Sequence, residues 1–196
     1  MYKKSILFMD TETIGVPKNY KSPPSDTENW PRLVQIGYIF VPADGGKMIS
    51  AEHIIKPVGF EIPVEASNIH GVTTERALAE GVDIGGVLDT IKSLSGMADV
   101  IAGHNVSFDL SIVGAEFYRY IGSNPLEKIP SICTMKSTVN FCALPGNFGH
   151  YKWPKLWELY LKLFGTDMGA AHTALMDIEN TRICFDELLN RGIIKL

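Results

Sequence analysis

The sequence predicts a mixed α/β fold in which one sheet has helices on both faces. Short apolar segments rich in β-branched and aromatic residues recur along the chain, as is typical of buried strands. Two of them flank the turn sequence Ala-Asp-Gly-Gly at 43–46, which predicts an antiparallel hairpin. Further on, short strands alternate with amphipathic helical segments, and this order predicts parallel strands.

In the first half of the chain, strands are predicted over 5–13, 33–41 and 50–56. The polar, Pro-rich segment 15–31 predicts a long loop, which is either a tolerated insertion or a flap beside a substrate. Short helices are expected over 64–69 and after Thr73. The apolar spacing within 83–95 predicts a longer helix with Asp83 as its N-cap.

The second half alternates strands and helices. Its predicted strands are 99–102 and 131–134, with a helix between them that is marked by apolar residues from Leu110 to Ile121 and by Asn105 as N-cap. The segment 141–154 is irregular, and Gly165 ends the following helix. A last helix runs to about Asn190. Because the sequence has no internal repeat and no linker, we expect one domain over 1–196.

Composition limits the classes of function. The chain has 196 residues, a net charge of −4 and 20% charged residues, so a nucleic-acid partner would have to be bound locally rather than by a broad basic surface. Three cysteines without CxxC spacing predict reduced, buried thiols. The sequence shows neither a signal-peptide pattern nor a membrane-spanning stretch, so a cytoplasmic location without membrane attachment is expected.

The first predicted strand ends in two acids that predict half of a metal site. Asp10 and Glu12 are two residues apart, so on an extended backbone both point to one face. Carboxylates that are close together and poorly solvated repel each other, and a divalent cation is the usual compensation.

Acids in two later segments could complete this site. Asp109 follows the strand predicted at 99–102 and falls in the first turn of a helix, where sites in open α/β sheets lie. Taken alone, Asp109 is equally well explained as a carboxylate that the helix dipole stabilises in the first turn. His172 and Asp177 converge if His172 lies in the loop before the last helix and Asp177 in its first turns. A lone His at that position is more often a surface or capping residue, but beside acids it can take a proton at neutral pH.

The motifs at 10–12 (Asp-Thr-Glu), 104–109 (His-Asn-Val-Ser-Phe-Asp) and 172–177 (His-Thr-Ala-Leu-Met-Asp) resemble those of the DEDDh group of DnaQ-like 3′–5′ exonucleases. The resemblance implies a ribonuclease H-like, five-stranded mixed sheet and cleavage of single-stranded 3′ ends to nucleoside 5′-monophosphates, with DNA favoured over RNA. It also implies two Mg²⁺ or Mn²⁺ ions. The ligands would be Asp10, Glu12, Asp109 and Asp177, and the general base would be His172.

The segment 65–73 resembles the corresponding part of the epsilon proofreading subunit of bacterial DNA polymerase III, which implies a polymerase or another replication or repair protein as a partner. By this resemblance Glu65 and His70 contact the terminal nucleotide, although His70 could merely end a short helix. Val16 stands where some members place an apolar wedge between bases. Phe108 either packs at the scissile nucleotide or supports the helix start.

A set of basic and aromatic residues lies in or near the irregular segment: Lys136, Tyr151, Lys152, Trp153 and Lys155. Their interleaving is compatible with phosphate contacts and base stacking by a single strand, or with aromatics folded onto the core.

Two other functions compete with a DNA exonuclease. The same motifs would serve a 3′–5′ exoribonuclease, because no residue in the sequence identifies a group that reads the 2′-OH. A non-catalytic nucleic-acid-binding subunit would be favoured only if a metal ligand or His172 were missing.

Overall fold

In the computed structural model, which describes residues 2–169 and 174–196, one five-stranded sheet forms the centre. The strands are β1 (Ile6–Thr13), β2 (Leu33–Val41), β3 (Ile49–Ile54), β4 (Val100–Gly103) and β5 (Ser131–Cys133). Their order is β3-β2-β1-β4-β5, with antiparallel pairing from β3 to β1 and parallel pairing from β1 to β5. This arrangement confirms the predicted mixed sheet.

The six predicted helices are present, and two short helices that were not predicted lie directly after β5. The helices are α1 (Val64–His70), α2 (Thr74–Glu80), α3 (Ile84–Met97), α4 (Val106–Ile121), α5 (Thr134–Ser137), α6 (Val139–Cys142), α7 (Leu156–Phe164) and α8 (Ala174–Asn190), with a 3-10 turn at Asn147–Gly149. The Asp83 carboxylate accepts hydrogen bonds from the N–H groups of Gly85 and Gly86, so the predicted N-cap of α3 is confirmed. Asn105 does occupy the predicted N-cap position of α4. Its side chain makes no capping bond, because its left-handed backbone (φ 69°) departs from the extended geometry that such a bond needs.

Alternation along β1 divides the core between two faces of the sheet. Leu7 and Met9 pack in one cluster with apolar residues of α3 and α4. Ile6 and Phe8 pack in the other with residues of α7 and α8, and the Phe8 ring meets Phe185 edge-on at 5.1 Å between centroids. The even-numbered residues of β1 therefore face α8, and the odd-numbered ones face α4.

The loop predicted at 15–31 is confirmed as a long loop, and it is tied to α4. The buried carboxylate of Glu116 accepts hydrogen bonds from Arg32 Nε at 2.9 Å and from the Leu33 N–H at 3.1 Å. Arg119, which pairs with Glu116 at 3.0 Å, also donates to the carbonyls of Thr27 and Trp30. A buried carboxylate shared by two guanidinium groups thus holds the end of the loop against the helix.

Within the described ranges, the chain has no helix whose length and apolar character would let it cross a lipid bilayer.

Candidate active site

Three carboxylates converge at the carboxyl end of β1. One oxygen from each of Asp10, Glu12 and Asp177 lies within 4.8 Å of the other two, and all three side chains are partly buried. Asp10 and Glu12 belong to the face of β1 that packs against α8, and Asp177 lies in the first turn of α8. The structure therefore brings together three of the four predicted metal ligands.

A glycine in the neighbouring strand allows α8 to start close to these acids. Gly37 of β2 pairs with Asp10, and a Cβ at position 37 would lie 2.6 Å from the backbone carbon of Ala174. No side chain fits in that space. The Leu175 N–H also donates to the Glu52 carboxylate of β3 at 2.8 Å, which holds the start of α8 over the sheet.

Asp109 approaches the same end of the sheet from the other face. It lies in α4, is only 3% exposed, and accepts a hydrogen bond from the Thr11 hydroxyl at 2.7 Å. Thr11 is an odd-numbered residue of β1, so its side chain faces α4 and can hold this carboxylate. Asp109 lies outside the tight group of three, yet its charge raises the pKa of both Asp10 and Glu12.

The electrostatics of the site favour a bound cation. Burial, and then the charges of neighbouring carboxylates, raises the pKa of Asp10 well above its ordinary value and that of Glu12 to about 7. Burial also raises the pKa of Asp109 to about 7, although the Thr11 hydrogen bond opposes this. A divalent cation would remove the cost of ionising these groups together, and an all-carboxylate donor set suits hard cations such as Mg²⁺ and Mn²⁺.

His70 lies beside the end of β1. Its ring is buried, and Nδ1 accepts a hydrogen bond from the Val72 N–H at 3.2 Å. Burial lowers its pKa, and an interaction with the Thr13 carbonyl partly offsets that effect. His70 is the last residue of α1 and is followed by Gly71 in the left-handed conformation (φ 74°), so it does end a helix. Its contact with a nucleotide stays a prediction.

The remaining predicted residues surround the site more loosely. Glu65 is exposed in the first turn of α1, and Val16 is 70% exposed in the loop after β1. Phe108 is half-buried, packs against the α3–α4 core and also lines a cavity, so its position agrees with both readings. His172 lies outside the described residues, and its role as general base stays a prediction.

Sequence reasoning did not identify Thr11 and Gly37. Thr11 carries no signal of its own, because the helix that presents Asp109 to it is distant in sequence. Gly37 does carry one, since an isolated glycine inside an apolar strand often marks a close approach of another backbone.

The fold and the acidic site together define a ribonuclease H-like nuclease domain. The model of the RNase_T exonuclease family matches residues 7–185, which is most of the sequence, and the chain belongs to this exonuclease family. Membership confirms the resemblance to DnaQ-like exonucleases that the three motifs indicated.

Known proteins similar to the chain agree with this assignment. The uncharacterised exonuclease CP81 of Escherichia phage 186 is 29% identical over 192 residues, which cover 95% of this chain and 89% of the phage protein. Exonuclease I of E. coli in complex with dT13 superposes with a TM-score of 0.69 at 22% identity, and Exonuclease I of Methylocaldum szegediense with 0.72 at 20%. Each superposition covers 95% of this chain but only 41% and 40% of those longer chains, so it shows a shared fold.

Proposed function

We propose that the chain is a divalent-metal-dependent 3′–5′ exonuclease that releases nucleoside 5′-monophosphates from single-stranded DNA, with residues 1–196 acting as one domain. The observation that carries the proposal is the convergence of Asp10, Glu12 and Asp177 at the carboxyl end of β1, in a chain of an exonuclease family. The similar Exonuclease I structures support DNA as the substrate, since they are complexes with dT13 and dA16 oligonucleotides.

The four acids would hold two cations. Asp10, Glu12 and Asp177 offer oxygens close enough for one ion, and Asp109 would add a ligand from the α4 side. Two bound divalent cations would supply activation of the attacking water and stabilisation of charge on the leaving 3′ oxygen.

The protein's own groups would then position the substrate and move the proton. His172 would accept a proton from water as the water oxygen bonds to phosphorus and the bond to the 3′ oxygen breaks. Thr11 would keep Asp109 oriented through its 2.7 Å hydrogen bond. Glu65 and His70 would contact the terminal nucleotide, with Val16 against its base.

The test uses the purified chain and two 5′-labelled single strands of one sequence, one DNA and one RNA. Each is incubated with Mg²⁺, Mn²⁺, Zn²⁺ or EDTA; zinc is included because one E. coli Exonuclease I complex with single-stranded DNA contains it. We expect a ladder that shortens from the 3′ end with Mg²⁺ or Mn²⁺ and not with EDTA. Faster loss of the RNA strand would replace the DNA assignment by an exoribonuclease. Intact strands with every metal would overturn the proposal.

The resemblance to the epsilon subunit also leads us to propose a polymerase or another replication or repair protein as partner. Co-purification of the tagged chain with such a protein from its own host would support this, and recovery of the chain alone would count against it.

A further inference from the structure

Residues 144–152 form a small hairpin next to the catalytic end of the sheet. The Lys152 N–H donates to the Leu144 carbonyl at 3.0 Å, and the Gly146 N–H donates to the His150 carbonyl at 2.9 Å. A Cβ on Gly146 would lie 2.7 Å from that carbonyl oxygen, so only glycine fits at this crossing. The hairpin, called here the 144–152 hairpin, is therefore a defined turn rather than an irregular loop.

The tip of the 144–152 hairpin presents an aromatic ring to solvent. Phe148 has a left-handed backbone (φ 55°, ψ 31°) and a side chain that is 98% exposed. A non-glycine residue in this region is strained, and an exposed Phe returns no burial in compensation. Tyr151 and Trp153, at and just after the end of the hairpin, are also mostly exposed. Clustered exposed aromatics of this kind mark an interaction site.

A histidine fastens the end of this segment to the catalytic edge. His104, which directly follows β4, places Nε2 at 2.9 Å from the Pro154 carbonyl and Nδ1 at 2.9 Å from the Thr134 hydroxyl. Because Pro154 follows Trp153, the indole is held near the carboxyl end of the parallel strands, the same end of the sheet as the carboxylates.

Trp153 lines a cavity beside the start of α4. The cavity holds about 310 Å³ and is lined by equal numbers of aromatic and polar residues. Its aromatic walls are Tyr20, Trp30, Phe108 and Trp153, and its polar walls include Asn105 and Lys136. Phe108 directly precedes Asp109 in the first turn of α4, so this helix contributes to both the cavity and the acidic site. The tied 15–31 loop supplies the Tyr20 and Trp30 walls. Aromatic side chains of this kind offer faces on which a flat ring stacks.

Basic side chains accompany these rings although the whole chain carries a net charge of −4. Lys136 lines the cavity and donates to the Ser107 hydroxyl at 3.3 Å, and Lys155, which is exposed, follows Pro154. Aromatic faces interleaved with cations match a single-stranded nucleic acid, in which unpaired bases alternate with phosphates.

We infer that the 144–152 hairpin and the Trp153 cavity bind the single strand on the 5′ side of the terminal nucleotide. One base stacks in the cavity against Trp153, Tyr151 and Phe148 stack further bases, and Lys136 and Lys155 contact the intervening phosphates. This inference rests on the proposed function, because the 3′ end has to lie at the carboxylates. It implies selectivity for strands whose last several bases are unpaired, since paired bases do not offer free faces.

Binding is tested without turnover. A 5′-fluorescein-labelled oligothymidylate of about twelve nucleotides is titrated in EDTA, and fluorescence anisotropy gives the Kd. We expect Trp153→Ala and Phe148→Ala each to raise Kd about tenfold, and Trp153→Phe to restore most of the affinity. The control is Tyr120→Ala, which removes a 46% exposed aromatic side chain at the far end of α4. Unchanged Kd in both alanine variants, or equal losses in Tyr120→Ala, would overturn the inference, as would tight binding of a fully paired duplex.

A second measurement separates this inference from the proposed function. The ratio of kcat/KM for the oligonucleotide to kcat/KM for the p-nitrophenyl ester of thymidine 5′-monophosphate, which has no upstream bases, is expected to fall about tenfold in Trp153→Ala. If this ratio is unchanged in Trp153→Ala and both substrates are hydrolysed normally, the hairpin site is overturned and the exonuclease assignment stands. Anisotropy losses as expected, together with no hydrolysis of either substrate, would support the hairpin site and overturn the exonuclease assignment.

Discussion

Carboxylates lie at both ends of the contact between strand β1 and helix α8, but their surroundings differ. At the carboxyl end of β1, one oxygen from each of Asp10, Glu12 and Asp177 lies within 4.8 Å of the other two. At the other end, Asp186 of α8 accepts hydrogen bonds from the Tyr2 hydroxyl and from Arg182 at 2.9 Å. Asp177 and Asp186 are nine residues apart on one helix, about 14 Å along its axis.

The difference separates a structural charge from a functional one. Asp186 has its counter-charge within the fold, so it fastens α8 to the segment before β1. At the catalytic end, burial and then the charges of neighbouring carboxylates raise the pKa of Asp10 and Glu12, and such raised values are typical of functional sites. Changes at the two ends are therefore expected to have opposite consequences for activity and stability.

The largest effect is expected from removing an acid at the catalytic end. Asp10→Ala or Asp177→Ala should abolish turnover of a labelled single strand. In Asp10→Ala the melting temperature without metal should stay equal or rise, because a buried carboxylate that its neighbours repel is gone. At the opposite end, Asp186→Ala should keep turnover and lower Tm by about 2–4 °C, the effect of losing ~1 kcal/mol. Full activity of Asp10→Ala or Asp177→Ala would refute the metal-ligand assignment.

His172→Ala should lower kcat by roughly two to four decades, as expected for the loss of a general base. Metal affinity, measured by calorimetry, serves as the control. A variant whose loss lies only in metal affinity would show that His172 is a ligand and not a base.

Gly37→Ala tests whether the close approach of α8 to β2 sets the geometry of the acidic site. The added Cβ would lie 2.6 Å from the backbone of Ala174, so the start of α8 and Asp177 must shift. A displacement of about 1 Å at a catalytic group can lower the rate about a hundredfold. Gly96→Ala in α3 is the matched control, because its Cβ would meet open space. A wild-type rate in Gly37→Ala would show that this approach does not set the geometry.

The smallest effect concerns pH and metal-free stability. The pKa of Glu12 is raised from 4.5 to about 7, so between these values the unfolded chain ionises while the folded one stays protonated. The free energy of unfolding contributed by Glu12 should therefore fall as pH rises through this window and level off above it. We expect the Tm in EDTA, relative to Glu12→Gln, to drop by a few degrees between about pH 5 and pH 8.

Added Mg²⁺ should reverse this trend, since it binds the ionised site and stabilises the folded state most at the higher pH. A difference in Tm between wild type and Glu12→Gln that stays constant or rises with pH would contradict the prediction.

Local patterns were enough to predict the main elements. The apolar, β-branched segment 33–41 forms β2 with the predicted bounds, whereas the more polar β3 is displaced to Ile49–Ile54 from the predicted 50–56. Periodicity also placed Asp10 and Glu12 on one face, because the side-chain alternation of a strand follows from its backbone. The N-cap position at Asn105 was also predicted, but its left-handed backbone, which leaves the side chain without a capping bond, was not.

The sequence by itself determined the mixed sheet, the identity of the acids and the face of β1 on which two of them lie, because each depends on propensity or on spacing within one element. Only the tertiary structure decided that Asp177 reaches these acids over Gly37 and that Thr11 holds Asp109 from the opposite face of the sheet. It also decided that His104, at the end of β4, holds the carbonyl of Pro154, the residue after Trp153. These contacts join segments far apart in the chain, and their geometry is set by packing between elements, which local sequence patterns do not encode.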